Sequence, residues 1–347
     1  MSNSFHIPLP SHSLRERIEW LPEWETLPVI EVRVGSDSDL SKIKSILEWL
    51  KEYPVLVRIA SAHRTPEAMV TIAKGFPEVI LQLSGESLKF SEDEVGLANK
   101  LKVIACIACA WWSAHIAGMT ASETNIPVLA FPVPSSTNGQ FESDASMRDM
   151  PPGIPNGTSS FEAVVVDQAK KIYERSSTSS EKIYLAPWIE VSSEMRKLID
   201  RLQIQITNIL GDAGIGIFWE KVNDQVVQYQ GKNRSEVEQA VLDATHEFGT
   251  PVVLMNPTYS APIDTNDRSL QNIQRIGTLA LNRLTVSGLS MGASVEGKTN
   301  FTNVLLFAAK IVALHNSQVH EALWEYRREL RDGVREKDRD LIKQQLQ

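Results

Sequence analysis

The first half of the chain alternates short apolar runs with helical patterns, and this alternation constrains the fold more than any other feature. The strand-like runs are residues 29–34, 55–60, 103–110 and 127–133, and the helical patterns are residues 40–51, 66–74 and 161–174. Strands that alternate with helices predict crossover connections and therefore a parallel sheet. In such sheets ligands bind beyond the carboxyl ends of the strands, so functional residues are expected directly after the apolar runs.

A small polar run, Arg-Ser-Ser-Thr-Ser-Ser-Glu at residues 175–181, divides the chain almost in half and is typical of a linker. At roughly 100–200 residues per domain, the chain length favours two domains. The predicted organisation is an N-terminal extension at 1–27, a first domain at 28–175, a linker at 176–184 and a second domain at 185–347.

The second half is less regular, with strand-like runs and helical patterns that suggest a degenerate copy of the first half. The strand-like runs are 216–222, 226–230 and 251–255, and the helical patterns are 235–247, 270–284 and 318–335. Gly-Thr-Ser-Ser-Phe at 157–161 aligns with Gly-Lys-Thr-Asn-Phe at 297–301, and further matches continue at the same offset. This pattern predicts a tandem repeat. The alternative is that any two strand–helix segments ending in a buried helix would show such matches.

Composition excludes several classes of protein. Asp and Glu number 43 against 35 Lys and Arg, with no basic block, so we expect no nucleic-acid surface. No apolar stretch approaches the roughly 20 residues of a membrane-spanning helix. The N-terminus lacks a secretory pattern, which predicts a cytoplasmic protein. The two cysteines, Cys106 and Cys109, have no second pair or histidine set, so neither a metal role nor a redox role is predicted for them.

The first strand runs into Gly35, Ser36, Asp37, Ser38 and Asp39, a small polar turn that precedes a helical pattern. Backbone amides and serine hydroxyls in such a turn can approach a phosphate. Asp39 would repel a phosphate, so a sugar hydroxyl is its natural partner. The turn therefore favours a sugar phosphate, and the alternative is a plain helix N-cap that binds nothing.

The second strand ends in Ser61, Ala62, His63, Arg64 and Thr65, again at a carboxyl end. The guanidinium of Arg64 suits a phosphate, and His63 can exchange a proton near neutral pH. Ser61 could orient the imidazole or bind the substrate. A lone histidine in this position would more often be structural.

A third segment follows the strand at 103–110 and combines two indoles with a histidine, at Trp111, Trp112 and His115. The two indoles could roof a planar heterocycle, since aromatic stacking contributes about 1 kcal/mol. The alternative for both rings is packing in a core or an interface.

The order of these motifs resembles the PurE family of purine biosynthesis, which contains the N5-carboxyaminoimidazole ribonucleotide mutases and the aminoimidazole ribonucleotide carboxylases. The resemblance covers about residues 28–174. It rests on the two turns above and on Ala-His-Ile-Ala-Gly-Met at 114–119, Ile-Pro-Val at 126–128 and Met-Pro-Pro-Gly-Ile-Pro at 150–155. It implies an α/β fold with a three-layer, Rossmann- or flavodoxin-like parallel sheet, followed here by a degenerate second copy whose closing helices lie near 303–326.

The resemblance also implies roles for individual residues. His63 would shuttle the proton at the imidazole carbon that is carboxylated, with Ser61 near the base and His115 in the loop that closes over carbon dioxide. The residues implied in substrate binding are Gly35, Ser36, Ser38, Asp39, Arg64 and Ser113. The implied partners are a ribonucleotide and carbon dioxide or bicarbonate, without metal or cofactor. Because family members form octamers, a tandem chain is expected to form a homotetramer of the same shape.

The chain also departs from the family pattern. The glycine-rich stretch before the second histidine is replaced by Ala-Trp-Trp-Ser at 110–113, which adds bulk beside the substrate. Two other functions therefore stay open: a carboxylase or decarboxylase for another heteroaromatic ribonucleotide, or a non-catalytic nucleotide-binding or assembly protein. The catalytic motifs are absent after Ser176, so the second domain is expected to be catalytically silent.

Overall fold

The computed structural model describes residues 14–66, 91–111, 115–133, 146–147, 150–151, 153–159, 162–175, 182–187, 204, 216–217, 252–255, 284–286, 289–290 and 301–346. All but the first residue of the helix predicted at 66–74 lies outside this part of the chain. The helix predicted at 235–247 and the strand predicted at 226–230 also lie outside it, as do residues 270–283 of the helix predicted at 270–284.

A parallel sheet of five strands forms the first half of the molecule, in the spatial order β2-β1-β3-β4-β5. The strands are β1 (Leu27–Val34), β2 (Val55–Ile59), β3 (Leu101–Ala110), β4 (Val128–Pro132) and β5 (Gly157–Thr158). Val32 at the centre of β1 pairs with Val57 on one side and with Ile107 on the other. The prediction of a parallel α/β sheet is confirmed, and four of its strands agree with the apolar runs of the sequence.

Helices connect and flank these strands. They are α1 (Leu14–Glu19), α2 (Asp37–Leu40), α3 (Lys44–Trp49), α4 (Glu92–Asn99), α5 (Ile116–Glu123), α6 (Glu162–Arg175), α7 (Phe301–Ala313) and α8 (Ser317–Gln345). The helix predicted at 40–51 is divided in the structure, because a 3₁₀ turn at Ser41–Ile43 separates α2 from α3. Within the described residues, no helix combines the length and the apolar character needed to cross a membrane.

Five short strands of the second half extend the same sheet beyond β5, in the order β10-β9-β8-β6-β7. They are β6 (Lys182–Pro187), β7 (Gly216–Ile217), β8 (Val252–Met255), β9 (Leu284–Val286) and β10 (Leu289–Ser290). β6 runs parallel to β7 and β8, whereas β9 is antiparallel to β8 and to β10. β6 includes residues 182–184, the end of the predicted linker. The degenerate second copy and the domain boundaries stay predictions.

Alternate residues of the first four strands supply one extensive apolar cluster, which we call the large core. Ile30, Val32, Ile107 and Phe131 from the sheet are each fully buried in it. Residues of α3, α6, α7 and α8 complete it, including Ile46, Val165, Phe307 and Leu323. The C-terminal helices therefore share a core with the first half of the chain. Side chains of this size remove much apolar surface from water and stabilise the fold.

The intervening residues of the same strands form a second cluster, which we call the small-residue core. Its members from the sheet are Ala60, Cys106, Ala108, Ala110, Val128 and Ala130, and α5 contributes Ile116, Ala117 and Ala121. Small side chains let α5 lie close to the sheet. Cys106 belongs to this core and Cys109 to the large core, so the two thiols face opposite ways, as expected for residues three apart on a strand.

The face of β1 that carries the small-residue core also buries an ion pair. Arg33 is fully buried, and its Nε lies 2.6 Å from Oε1 of Glu31, which is 2% exposed. Arg33 Nη1 donates to the hydroxyl of Thr120 on α5 at 2.8 Å. The ladder places Arg58 of β2 directly beside Arg33, so Glu31 compensates two guanidinium groups.

The C-terminal end of α5 is held by side chains from α7 and α8. Lys310 is 1% exposed, and its side-chain nitrogen donates to the carbonyl of Ala121 at 3.0 Å. Burial, with a further contribution from Arg327, lowers the pKa of Lys310 well below its ordinary value. Arg327 donates to the carbonyl of Ser122 and to the side chain of Asn125. Cations at a helix C-terminus satisfy carbonyls that have no partner within the helix. The two C-terminal helices thus anchor α5 in the first half of the molecule.

Candidate active site

Three loops meet at the carboxyl edge of the parallel sheet, because β1 lies between β2 and β3. The backbone amide of Ala60 donates to the carbonyl of Val34 at 2.9 Å, which joins the ends of β1 and β2. The amide of Val133 donates to the carbonyl of Ala110 at 2.9 Å, which joins the ends of β3 and β4. The loops after these strands carry the polar residues singled out in the sequence, so the predicted edge brings them together.

The turn after β1 contains a chain of hydrogen bonds between side chains. The hydroxyls of Ser36 and Ser38 lie 2.6 Å apart, and Ser36 donates to Oδ2 of Asp39 at 3.2 Å. Ser36 occupies the N-cap position of α2, but its side chain makes no capping hydrogen bond. The plain N-cap interpretation therefore does not describe this serine. Its hydroxyl orients the Asp39 carboxylate instead.

Asp39 is a nearly buried carboxylate, 5% exposed, beside Lys42 and Gly35. Burial raises the pKa of Asp39 above its ordinary value, against the lowering effects of the Ser36 hydrogen bond and of Lys42. The ammonium of Lys42 lies 3.9 Å from Oδ1 of Asp39. The turn thus presents hydroxyls and one compensated carboxylate, a set suited to sugar hydroxyls.

The turn after β2 is closed by its own residues. The hydroxyl of Ser61 accepts from the backbone amide of Arg64 at 3.2 Å, and the carbonyl of Ser61 accepts from the amide and the hydroxyl of Thr65. Ser61 therefore shapes the turn, and its predicted role near the base stays a prediction. Arg64 is exposed at the end of the turn.

The two predicted site histidines are in direct contact. Nε2 of His63 lies 3.0 Å from Nδ1 of His115, with the rings nearly perpendicular at 78° and their centroids 5.2 Å apart. A hydrogen bond between two ring nitrogens needs one bare nitrogen and one that carries hydrogen, so the pair can accept or give a proton at that contact. Both histidines are exposed at the edge of the sheet. Residues 52 positions apart thus meet as a potential acid–base pair.

Trp111 does not offer a free ring face on the side of the turn after β1. The ammonium of Lys42 lies 3.7 Å from the centre of the Trp111 ring, and the ring packs against the large core. Of the two alternatives, the structure places Trp111 in the packing role. Trp112 and Ser113 lie outside the described residues, so the prediction that Ser113 binds substrate stays a prediction.

Helix α5 determines where His115 lies, since His115 occupies the N-cap position of this helix. Thr120 donates to the carbonyl of Ile116 at 2.7 Å and accepts from Arg33, which joins the first turn of α5 to β1. A Cβ at Gly118 would overlap the tip of Met150, so only glycine allows this contact without movement. Arg33 and Thr120 were missed as contributors to the site. Their signal in the sequence is a Glu-x-Arg pair inside an otherwise apolar strand.

Possible metal ligands do not gather in the part of the chain that the structure describes, where no group of three His, Cys, Asp or Glu side chains could hold an ion. Burial raises the pKa of Cys106 to about 12, and raises that of Cys109 well above the ordinary value. Both thiols are therefore protonated at neutral pH and unsuited to nucleophilic chemistry.

Comparison with known proteins identifies the family. The sequence profile described as AIR carboxylase matches residues 29–171. The N5-carboxyaminoimidazole ribonucleotide mutase of Thermotoga maritima is 34% identical over 146 residues, which are 42% of this chain and 70% of that protein. This chain belongs to the AIR carboxylase family. The match carries the turns after β1 and β2 and the segment around His115, the same residues that the fold brings to one edge of the sheet.

Two further members of the AIR carboxylase family show how much of the chain the likeness covers. The mutase of Aquifex aeolicus is 37% identical over 133 residues, which are 38% of this chain and 66% of that protein. The phosphoribosylaminoimidazole carboxylase of Schizosaccharomyces pombe is 38% identical over 133 residues, which are 38% of this chain and only 20% of that protein. A crystal structure of Treponema denticola PurE superposes with 18% identity and a TM-score of 0.30, covering 63% of this chain and 98% of that one, too loosely to add an argument.

Proposed function

We propose that this protein transfers a carboxyl group on an aminoimidazole ribonucleotide, as an N5-carboxyaminoimidazole ribonucleotide mutase or aminoimidazole ribonucleotide carboxylase of purine biosynthesis. The observation that carries the proposal is the 3.0 Å contact between His63 and His115, at the same edge of the sheet as the hydroxyl and carboxylate turn at residues 36–39. Membership of the AIR carboxylase family supports it.

Substrate binding is assigned to the turns after β1 and β2. Ser36 and Ser38 supply hydroxyls for the phosphate and Arg64 supplies its guanidinium, with Gly35 giving the close approach of the backbone. Asp39 accepts hydrogen bonds from the ribose hydroxyls, for which its Oδ2 is already oriented by Ser36.

The carboxyl transfer needs one group that moves a proton. In the mutase reaction the bond between the exocyclic nitrogen and the carboxylate carbon breaks, its electron pair stays on nitrogen, and carbon dioxide is released. The ring carbon then supplies the electron pair of the new carbon–carbon bond, and the hydrogen on that ring carbon leaves as a proton. His63 accepts this proton and the exocyclic nitrogen regains one, so that atoms and charge balance. General acid–base catalysis of this kind contributes about 10²–10⁴-fold to the rate.

His115 has two parts in the proposed reaction. Its ring contacts His63 and fixes the orientation of that imidazole, and its loop closes over the released carbon dioxide. Exclusion of water from the closed site prevents loss of the carbon dioxide before it bonds to carbon.

The test is an absorbance assay of the purified protein with N5-carboxyaminoimidazole ribonucleotide and with the carbon-carboxylated isomer, for wild type, His63→Asn and His320→Asn. We expect His63→Asn to lower kcat by at least about 100-fold, because a proton carrier is lost. His320 lies on α8 and bonds to Trp324, so His320→Asn is the matched control and should keep wild-type turnover.

Absence of turnover in the wild-type protein on either isomer would overturn the proposal. Equal turnover in wild type and His63→Asn would overturn the role of His63. Binding of another heteroaromatic ribonucleotide with turnover would favour the altered-substrate enzyme, whereas binding without turnover would favour the nucleotide-binding protein.

The assembly and location of the protein are part of the same proposal. We expect a cytoplasmic homotetramer in which each chain contributes a functional first domain and a catalytically silent second one. Light scattering of the purified full chain tests the oligomeric state, since a monomer or a dimer would contradict the expected tetramer.

A further inference from the structure

Asp39 is a carboxylate whose burial must be compensated before it can bind a sugar. At 5% exposure the group has lost most of its water, and burial raises its pKa. Within the described part of the chain, the titratable and charged groups that face it are Asp37 and Lys42, close by in sequence, and the buried thiol of Cys109 on β3. Of these three, Lys42 alone carries a positive charge.

Lys42 is fixed between Asp39 and an aromatic ring. Its ammonium lies 3.9 Å from Oδ1 of Asp39 and 3.7 Å from the centre of the Trp111 ring. The Lys42 side chain is 32% exposed, so both interactions act in a partly desolvated place. A cation over an aromatic face is held there by the ring quadrupole. Trp111 itself is held, because it packs against the large core.

Trp111 stands where the family carries its glycine-rich stretch, so the bulk that departs from the family pattern has a defined contact in this chain. The indole meets the cation that neutralises Asp39. Trp111, Lys42 and Asp39 are thus linked by direct contacts, and Asp39 belongs to the substrate-binding turn.

We infer that Lys42 is a positioning residue for the substrate: clamped over the Trp111 ring, its ammonium keeps the buried Asp39 carboxylate charged and able to accept hydrogen bonds from ribose hydroxyls. The inference rests on the proposed function, because it takes the substrate to be a ribonucleotide. Without Lys42 the buried carboxylate takes up a proton at a higher pH. A protonated Asp39 presents an O–H donor where the ribose needs an acceptor.

The inference predicts a loss of substrate affinity that depends on pH. A lysine that contacts the phosphate directly would change KM at least as much at high pH as at low pH, because the phosphate gains its second negative charge near pH 6. A lysine that acts through Asp39 changes KM mainly below the pH at which Asp39 protonates, and the loss disappears as the pH rises.

The experiment measures kcat and KM of the full chain from pH 5 to pH 9 for wild type, Lys42→Met, Lys42→Arg, Trp111→Leu and Lys51→Met. On the acid side of the profile, 1/KM falls as Asp39 takes up a proton. We expect Lys42→Met to raise the pH of this fall by about one unit, since an opposite charge near a carboxylate shifts its pKa by one unit or more. At a pH on that limb this is about a tenfold rise in KM with little change in kcat.

Two variants separate the charge from the ring. Lys42→Arg keeps the cation and should restore the wild-type limb, and Trp111→Leu loses the clamp and should give an intermediate shift. Lys51→Met removes an exposed lysine that bonds to Glu48 outside the site and should leave both constants unchanged. A rise in KM that persists or grows as the pH rises would overturn the inference.

A second readout does not depend on turnover. Protein labelled with ¹³C in the aspartate carboxyl groups is titrated by NMR, and Asp39→Asn assigns the signal. We expect the Asp39 midpoint to rise by about one unit in Lys42→Met. An unchanged midpoint in a folded Lys42→Met protein overturns the inference even if the enzyme is active. An inactive wild type with the expected shift overturns the proposed function and leaves the charge compensation standing.

Discussion

The large core and the small-residue core use alternate residues of the same strands, yet they serve different ends. In the large core Ile107 and Phe131 pack against large side chains from helices, so this core buries a large apolar volume. In the small-residue core the side chains of Cys106, Ala108 and Ala130 are short, so α5 lies close to the sheet. One face of the sheet therefore mainly provides stability, and the other positions α5, which carries His115 at its start.

The buried ion pair sharpens this contrast. A buried pair such as Glu31 and Arg33 gains little stability over apolar residues of the same volume, because both charges lose their water. Arg33 nevertheless reaches Thr120, whose hydroxyl bonds to the carbonyl of Ile116 in the first turn of α5. The main effect of the Glu31–Arg33 pair is therefore to hold α5 in place, and its net contribution to stability is small.

The largest expected effect on stability comes from the large core. Phe307 is 1% exposed on α7, and Phe307→Ala should lower the free energy of unfolding by about 3–5 kcal/mol. Denaturant unfolding measures this, with Leu341→Ala on the exposed part of α8 as the control. Turnover per folded molecule at low temperature should stay near the wild-type value. A loss below about 1 kcal/mol would show that α7 does not belong to the core of the first half.

The next largest effect comes from breaking the ion pair on the opposite face. Glu31→Gln removes the carboxylate that pairs with the buried guanidinium of Arg33 and should destabilise the protein by about 3 kcal/mol. The double variant Glu31→Leu, Arg33→Met should recover most of this stability and still lower kcat, since Thr120 loses its donor. Unfolding and turnover of both variants are compared. Full activity in the double variant would contradict the supporting role of the pair.

Matched alanines in the two cores give a smaller effect that separates position from stability. Ala117 on α5 and Ala308 on α7 are both fully buried, and replacement of either by leucine should cost about 1–3 kcal/mol through overpacking. Ala117→Leu should also lower kcat, because α5 and His115 move away from the sheet. Ala308→Leu should leave kcat unchanged. Equal effects of the two variants on kcat would remove the distinction between the cores.

The smallest effect is a dependence of stability on pH at the turn between α7 and α8. Burial lowers the pKa of His315, with a further contribution from Lys102, and the buried Nε2 has no hydrogen-bond partner among the described residues. The pKa of His315 is lower in the folded protein than the unfolded value of 6.5. Its contribution to the free energy of unfolding is therefore fully present above pH 6.5 and is lost as the pH falls through the folded pKa. His315→Gln should weaken this acid dependence in thermal melts from pH 5 to pH 8. An identical dependence in the variant would assign it to other groups.

The sequence predicted the elements whose signal is local. The apolar runs at 29–34 and 103–110 appear as β1 (Leu27–Val34) and β3 (Leu101–Ala110), because buried strands need continuous apolar side chains. It also placed the polar turns correctly, since parallel strands end at one edge. The helix at 40–51 was predicted as one element, and the 3₁₀ turn at Ser41–Ile43 divides it.

Which residues meet, and how their surroundings change their charge and exposure, depends on the packing of the whole fold. His63 and His115 are 52 positions apart, and their 3.0 Å contact depends on the order of the strands and on how closely α5 packs. The pairing of Lys42 with Trp111 likewise joins a helix to the end of a distant strand. Residue types and periodicity determine the local elements, because those follow from nearby side chains. Distances, burial and charge compensation arise from packing between segments far apart in the chain, and no local pattern records them.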